Sequence, residues 1–265
     1  MKKIPGIVFA IIAFLAVAAY AGLLQERQAA VVKARSSGSA TPTPAPNGDV
    51  FTDSFEGVGS GGYELDVCGS TPCWAETNDP DQAYSLPGTP PDDAGSYGLR
   101  ANVAGGTSYT SYSLSSARSY IYGKMPLYIA SEGLAQTNSV YVFAAADTAP
   151  NVGTLGQIQI TEFSSTGTPD LRIRARGGAN DSAQISISLT TWYEVEFCFP
   201  RSTDDADVCG EGNAVGWISV NGGARQTFAG GGYNDADNFT WGALIGTPTI
   251  DLIFGYFAVD DDGTY

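Results

Sequence analysis

The chain has 265 residues, 43% of them hydrophobic, with 33 glycines and 14 prolines, a balance that suits one β-rich domain of roughly 200 residues plus extra segments. Net charge is −15, and beyond residue 46 there are 27 acids against 8 basic residues (8 − 27 = −19), which makes nucleic acid a poor partner. No histidine occurs, so Ser-His-Asp and Cys-His catalysis, His-ligated zinc and a histidine general base are all excluded, and any chemistry must use carboxylates, Tyr, Lys or Arg.

Residues 1–24 open with Met1-Lys2-Lys3 and continue as an uncharged apolar run from Ile4. Ala19-Tyr20-Ala21 has the small-x-small pattern of a signal-peptidase site, so the run reads as a signal peptide ending at Ala21. At about 20 residues it is also long enough to stay as a membrane anchor, positive end inside. Third, "KKIPG", the apolar run and "QERQAAVVKAR" together resemble a type IV prepilin cut after Gly6, although Ile11 stands where that family carries a glutamate. All three place the remainder outside the cytoplasm, secreted or on the cell surface. Residues 25–47 extend the apolar helix and then break into "SSGSATPTPAPNGD", a Pro/Ser-rich stalk that buries no apolar area. The domain boundary falls near Asn47, leaving 48–265 as the globular part.

From residue 48 onward, short alternating runs are punctuated by Gly, Pro, Asn and Asp, which predicts an all-β domain. "YIYGKMPLYI", "SVYVFAAA" and "GQIQITEF" are the first clear strands. In "LRIRAR", Leu171, Ile173 and Ala175 face one way and Arg172, Arg174 and Arg176 the other. Such a row either holds an acidic glycan through bidentate contacts or pairs with acids on a neighbouring strand, such as Glu162. "QISISL" repeats the alternation with Ile185, Ile187 and Leu189 inward. "WISVNGGARQTF" carries Asn221-Gly222, a strong hairpin signal because both residues tolerate positive φ. "TIDLIFGYFAV" supplies the last strand. The four cysteines fit an oxidising compartment, and Cys68–Cys73 with Cys198–Cys209 is the simplest pairing; neither spacing suits a four-cysteine zinc site.

Several stretches resemble a concanavalin A-like, laminin G-like jelly roll: "FTDSFEG", "AGSYGLRANVAGGTSY", "TTWYEVEFCF" with "GWISVNGGARQTF", and "DLIFGYFAVDD". Trp192, Val195, Asn221 and Gly222 occupy the matching positions of the aromatic-led strand and its hairpin. The resemblance, over roughly residues 50–262, implies a two-sheet antiparallel sandwich. It leaves glycan binding, protein binding, polysaccharide cleavage and spacing all open.

In "TTWYEVEFCF", Trp192, Glu194, Glu196 and Cys198 share one strand face, while Tyr193, Val195, Phe197 and Phe199 share the core face. Glu194 and Glu196 would stand about 7 Å apart along the strand, compatible with a catalytic carboxylate pair. Laminarinase-type hydrolases of similar fold use Glu-x-Asp-x-(x)-Glu, however, and "EVEFCF" lacks the aspartate and the final glutamate. A solvated strand is the expectation. As sugar-stacking platforms, Trp74 and Trp241 read as loop tryptophans, with Tyr233 beside the latter, whereas Trp192 and Trp217 read as packing residues. For calcium, Glu56 fits the first half of the jelly-roll site that pairs a glutamate with last-strand aspartates, and Asp260 lies on that last stretch. Gly255 and Tyr256 stand where that family often has its aspartates.

The expected protein is therefore an extracytoplasmic module that binds a glycan or surface polymer without catalysis, by aromatic stacking and hydrogen bonds. A polysaccharide hydrolase or lyase of the same fold, using Glu194 and Glu196 or a Tyr/Arg pair, is the first alternative. A pilin-like filament subunit is the second.

Overall fold

A computed structural model describes residues 51–53, 73–77, 81–91, 95–134, 138–147, 154–163, 170–177, 180–201, 203, 207–230, 234–244 and 249–260. The signal, anchor or prepilin reading of residues 1–24 and the stalk at 25–47 lie outside them. Among the described residues no helix is long and apolar enough to cross a membrane.

Seventeen strands are described. They begin with β1 (Phe51–Asp53), β2 (Cys73–Thr77), β3 (Asp81–Ser85), β4 (Tyr97–Ala104), β5 (Ser108–Arg118) and β6 (Tyr120–Glu132). The chain continues through β7 (Ser139–Ala146), β8 (Gly156–Phe163), β9 (Asp170–Gly177), β10 (Asn180–Asp181), β11 (Ile185–Ile187) and β12 (Trp192–Pro200). It ends with β13 (Val215–Val220), β14 (Gln226–Ala229), β15 (Ala236–Ala243), β16 (Thr249–Phe254) and β17 (Phe257–Asp260). All described pairings are antiparallel, and they form two sheets packed as a sandwich. The first sheet runs β14-β13-β12-β6-β16-β4-β3, with β17 continuing β16 along β6 and carrying β1. The second runs β10-β9-β8-β7-β15-β5-β2, with β11 beside β10 on the same edge of β9.

Strand period explains the core. Ile121, Met125, Leu127 and Ile129 of β6 and Val195, Phe197 and Phe199 of β12 are fully buried at alternate positions, as are Ile173 and Ala175 of β9. Between the sheets Phe143 gathers Phe197, Phe199, Phe239 and Trp241. Large rings fit because glycines face them: a Cβ on Gly123 would lie 1.9 Å from Phe197 Cζ, and one on Gly156 would lie 2.2 Å from Phe199 Cδ1. The Asn-Gly turn forms as expected, with φ of 52° at Asn221 and 63° at Gly222. It is also tied sideways, since the Glu194 amide donates to Asn221 Oδ1 and the Asn221 amide to Glu194 O, both at 2.8 Å.

One expected strand position is corrected. Leu189 does not continue the inward row of Ile185 and Ile187; β11 ends at Ile187, Thr190 takes φ 54°, and Leu189 is exposed in the intervening turn.

Candidate functional site

One end of the second sheet gathers the positive row. Leu171, Ile173 and Ala175 are buried in the core, so alternation sends Arg172, Arg174 and Arg176 to the outer face. Opposite them on β8 stand Thr161, Gln159 and Gln157, and opposite Gln159 on β7 stands Tyr141. Residues directly across an antiparallel pair share a face, so a hydroxyl, two amides and a phenol join the arginines. Glu162, the acid expected to neutralise the row, pairs in register with Leu171 instead, which puts it on the opposite face.

Each guanidinium donates to a neutral group. Arg174 Nε donates to Gln159 Oε1 at 2.7 Å, Arg176 Nη1 to Tyr141 Oη at 3.0 Å, and Arg172 Nη1 to Gln184 Oε1 at 3.2 Å. Gln159 is itself held by donating to Ser139 Oγ. One acid that meets the row is Asp181, from the short return strand β10. Its Oδ2 lies 2.8 Å from Arg174 Nη1 and its Oδ1 lies 3.7 Å from Arg176 Nε. The return is fastened at Ser182, whose amide donates to Ala175 O at 2.9 Å and whose Oγ accepts from the Ala175 amide at 3.0 Å. A neutral acceptor fixes a guanidinium's direction without cancelling its charge. Sequence reading found the arginines but not Gln157, Gln159, Tyr141 or Asp181. The Gln-Ile-Gln-Ile alternation of "GQIQI" was the available signal, and only the pairing register brings it to the same face.

The two glutamates of β12 do share a face, that of the first sheet turned away from the core. Glu194 Oε2 is ion-paired to Lys124 Nζ at 3.0 Å, and Glu196 stands in register between Lys124 and Ser219. Further along the same face Cys198 forms the expected disulfide with Cys209. Trp217 packs there as expected, with Nε1 donating to Cys209 O at 3.0 Å and Arg225 lying 4.0 Å over its ring. Tyr122 donates its hydroxyl to Val208 O, and burial raises its pKa above the usual tyrosine value, partly opposed by the Arg225 charge. Trp192 packs too, its ring 5.2 Å from Tyr128 and its Nε1 donating to Pro87 O at 2.8 Å.

The tryptophan expectations need correction. Trp241 is not in a loop: it lies in β15, 1% exposed, and stacks on Phe257 with ring centroids 4.2 Å apart. A ring so enclosed has no face to offer a sugar. Trp74 also sits in a strand, β2, in register with Tyr112 at the sheet edge, and not in a loop. Tyr233 and Glu56 lie outside the described residues, as do Cys68 and therefore the Cys68–Cys73 pairing. Asp260 is fully buried in β17, opposite Tyr122 of β6. Among the described residues no group of three acidic or cysteine side chains could hold a metal ion.

No family model matches the chain, and no curated protein matches it. Among solved structures, a carbohydrate esterase from Shiga toxin-encoding bacteriophage phi24B is similar at 13% identity over 72% of this chain and 90% of its own, with a TM-score of 0.46. An alginate lyase from Alteromonas sp.272 is similar at 7% identity over 71% of this chain and 94% of its own, TM-score 0.42. A Trypanosoma rangeli sialidase is similar at 16% identity over 62% of this chain, TM-score 0.40, and this chain spans only 25% of its length.

Proposed function

We propose that this is an extracytoplasmic, concanavalin A-like module that recognises a glycan or surface polymer without cleaving it, and that the outer face of β8, β9 and β10 is its contact surface. One observation carries the reading: three arginines at strand period, aimed by Gln159, Tyr141 and Gln184, form a patterned polar strip in an acidic domain. Strand-borne groups held this way lose little rotamer entropy on binding, which favours recognition. With Trp241 in the core, hydrogen bonds and charge dominate over ring stacking. Each exposed contact contributes little, about 0–1 kcal/mol, so useful affinity requires a polymer that meets several at once.

The test is depletion binding of the full chain against a panel of insoluble polysaccharides. Arg172→Ala with Arg174→Ala should lower retention at least tenfold while thermal unfolding stays within a few degrees of wild type. Unaltered retention in that variant would remove the strip from the reading.

A polysaccharide lyase remains the second reading, favoured by the Tyr141 Oη to Arg176 Nη1 contact, a phenol beside a guanidinium. In such chemistry the tyrosine oxygen takes the proton from the carbon next to a carboxylate that the arginine neutralises, and the adjacent glycosidic C–O bond breaks, the electrons leaving on the departing sugar's oxygen and a C=C bond forming. Unsaturated sugar ends, released by wild type and lost in Tyr141→Phe, would establish it.

A further inference from the structure

We propose that the polymer read by this face is carboxylated, of the uronate type, and that Asp181 is an internal stand-in which the ligand's carboxylates displace. The inference rests on the recognition reading above and names its ligand class. Asp181 sets one carboxylate between two neighbouring guanidiniums, tight on Arg174 at 2.8 Å and loose on Arg176 at 3.7 Å. Asp181 is 34% exposed, Arg176 36% and Arg174 22%. Beside Asp181, Arg174 meets the neutral acceptor Gln159, so the chain itself supplies a carboxylate at the charged fork.

A neutral sugar hydroxyl is a poorer occupant of that fork. Hydrogen bonds from a guanidinium to a carboxylate are roughly twice as strong as neutral ones, and the planar fork fits two carboxylate oxygens at once. Displacement asks only the Asp181 side chain to swing aside, since its backbone is fastened at the neighbouring Ser182. β10 is two residues long, and its pairing to β9 consists of Asn180 opposite Gly177 and Asp181 opposite Arg176. Arginines two apart on a strand stand about 7 Å from each other, so a chain bearing a carboxylate on successive sugars can engage more than one. The acidity of the whole domain does not forbid this. At physiological salt charges are screened beyond about 8 Å, which leaves the contact strip to decide at close range.

The experiment measures binding of the full chain to polygalacturonate, to its carboxyl-reduced counterpart and to dextran sulfate. Wild type should prefer polygalacturonate to both others. Asp181→Asn keeps size and hydrogen bonding at an exposed site, and should tighten binding to polygalacturonate about fivefold, or about 1 kcal/mol at 1.4 kcal/mol per tenfold. Arg174→Gln should weaken it. Equal binding to the carboxyl-reduced polymer or to dextran sulfate would overturn the carboxylate class while leaving recognition standing. Unchanged or weaker binding by Asp181→Asn would overturn the stand-in role. No binding by wild type to any polymer, in this set or in the wider panel, would sink the recognition reading itself, and the inference with it.

Discussion

The two outer faces of the sandwich use similar residues to opposite ends. On the first sheet Arg100 meets Asp251 through both arms, Nε to Oδ1 at 2.9 Å and Nη2 to Oδ2 at 2.7 Å, and lies 4.5 Å over the Tyr84 ring. Nearby, Trp192 is capped by Pro87 O, Lys124 holds Glu194, and the Cys198–Cys209 bridge is enclosed with Trp217. That face is closed on itself. On the second sheet the arginine row meets amides and a phenol, and its acid Asp181, tight on Arg174 and loose on Arg176, is exposed. A guanidinium matched by a buried bidentate carboxylate supports the fold, whereas one whose carboxylate partner is exposed can exchange that partner for a ligand.

The contrast predicts that the first face can be damaged without touching recognition. Replacing Cys198 and Cys209 together by serine removes a bridge across a separation of 11 residues and should cost about 3 kcal/mol through loss of loop closure. Urea denaturation with and without reductant would measure it: wild type should fall to the variant's midpoint when reduced. Polymer retention below the unfolding transition should be unchanged, because the bridge sits on the other sheet. A parallel loss of retention would show that the two faces are not independent.

Much of the fold was legible before the structure, and the reasons are local. Alternation in "LRIRAR" and "TTWYEVEFCF" fixed which residues face the core, because side-chain period in a strand leaves one choice once the apolar row is known. Asn221-Gly222 declared its turn through its own backbone preferences. What depended on partners distant in sequence was not legible. Glu162 looked like a partner for the arginines until the register set it opposite Leu171, and Asp181, in the two-residue strand β10, carried no pattern at all. Trp241 was misplaced for the same reason: the Gly- and Asp-rich stretch before it reads as loop, yet β15 begins at Ala236 and carries the ring into the core between Phe143 and Phe257.

A paired substitution sharpens the comparison at smaller scale. Asp251 is 7% exposed, and Asp251→Asn would remove the charge from its two bonds with Arg100, at a cost of about 2 kcal/mol for disrupting a partly buried charged pair. Arg174→Gln breaks a contact of similar length at a more exposed place, and should cost less than about 1 kcal/mol. Thermal unfolding of both variants would read the difference. Equal losses would mean the arginine row is structural after all, and would remove the main ground for treating it as a recognition strip.

A pH-dependent effect concerns Tyr122, and its sign follows from burial. The hydroxyl donates to Val208 O and so must keep its proton in the folded state, and burial raises its pKa above the usual value near 10. A raised folded pKa gives a contribution that is fully present below about pH 10 and is lost as pH climbs from there through the folded value, because the unfolded chain ionises first. Tyr122→Phe removes one hydrogen bond, costing about 1 kcal/mol at neutral pH, and abolishes this titration. The stability gap between wild type and variant should therefore be constant from neutral pH to about pH 9 and should narrow above pH 10, which denaturation midpoints across that range would show. A gap that stays constant into alkali would mean that water reaches the hydroxyl, and that the first face is less sealed beside the disulfide than its contacts imply.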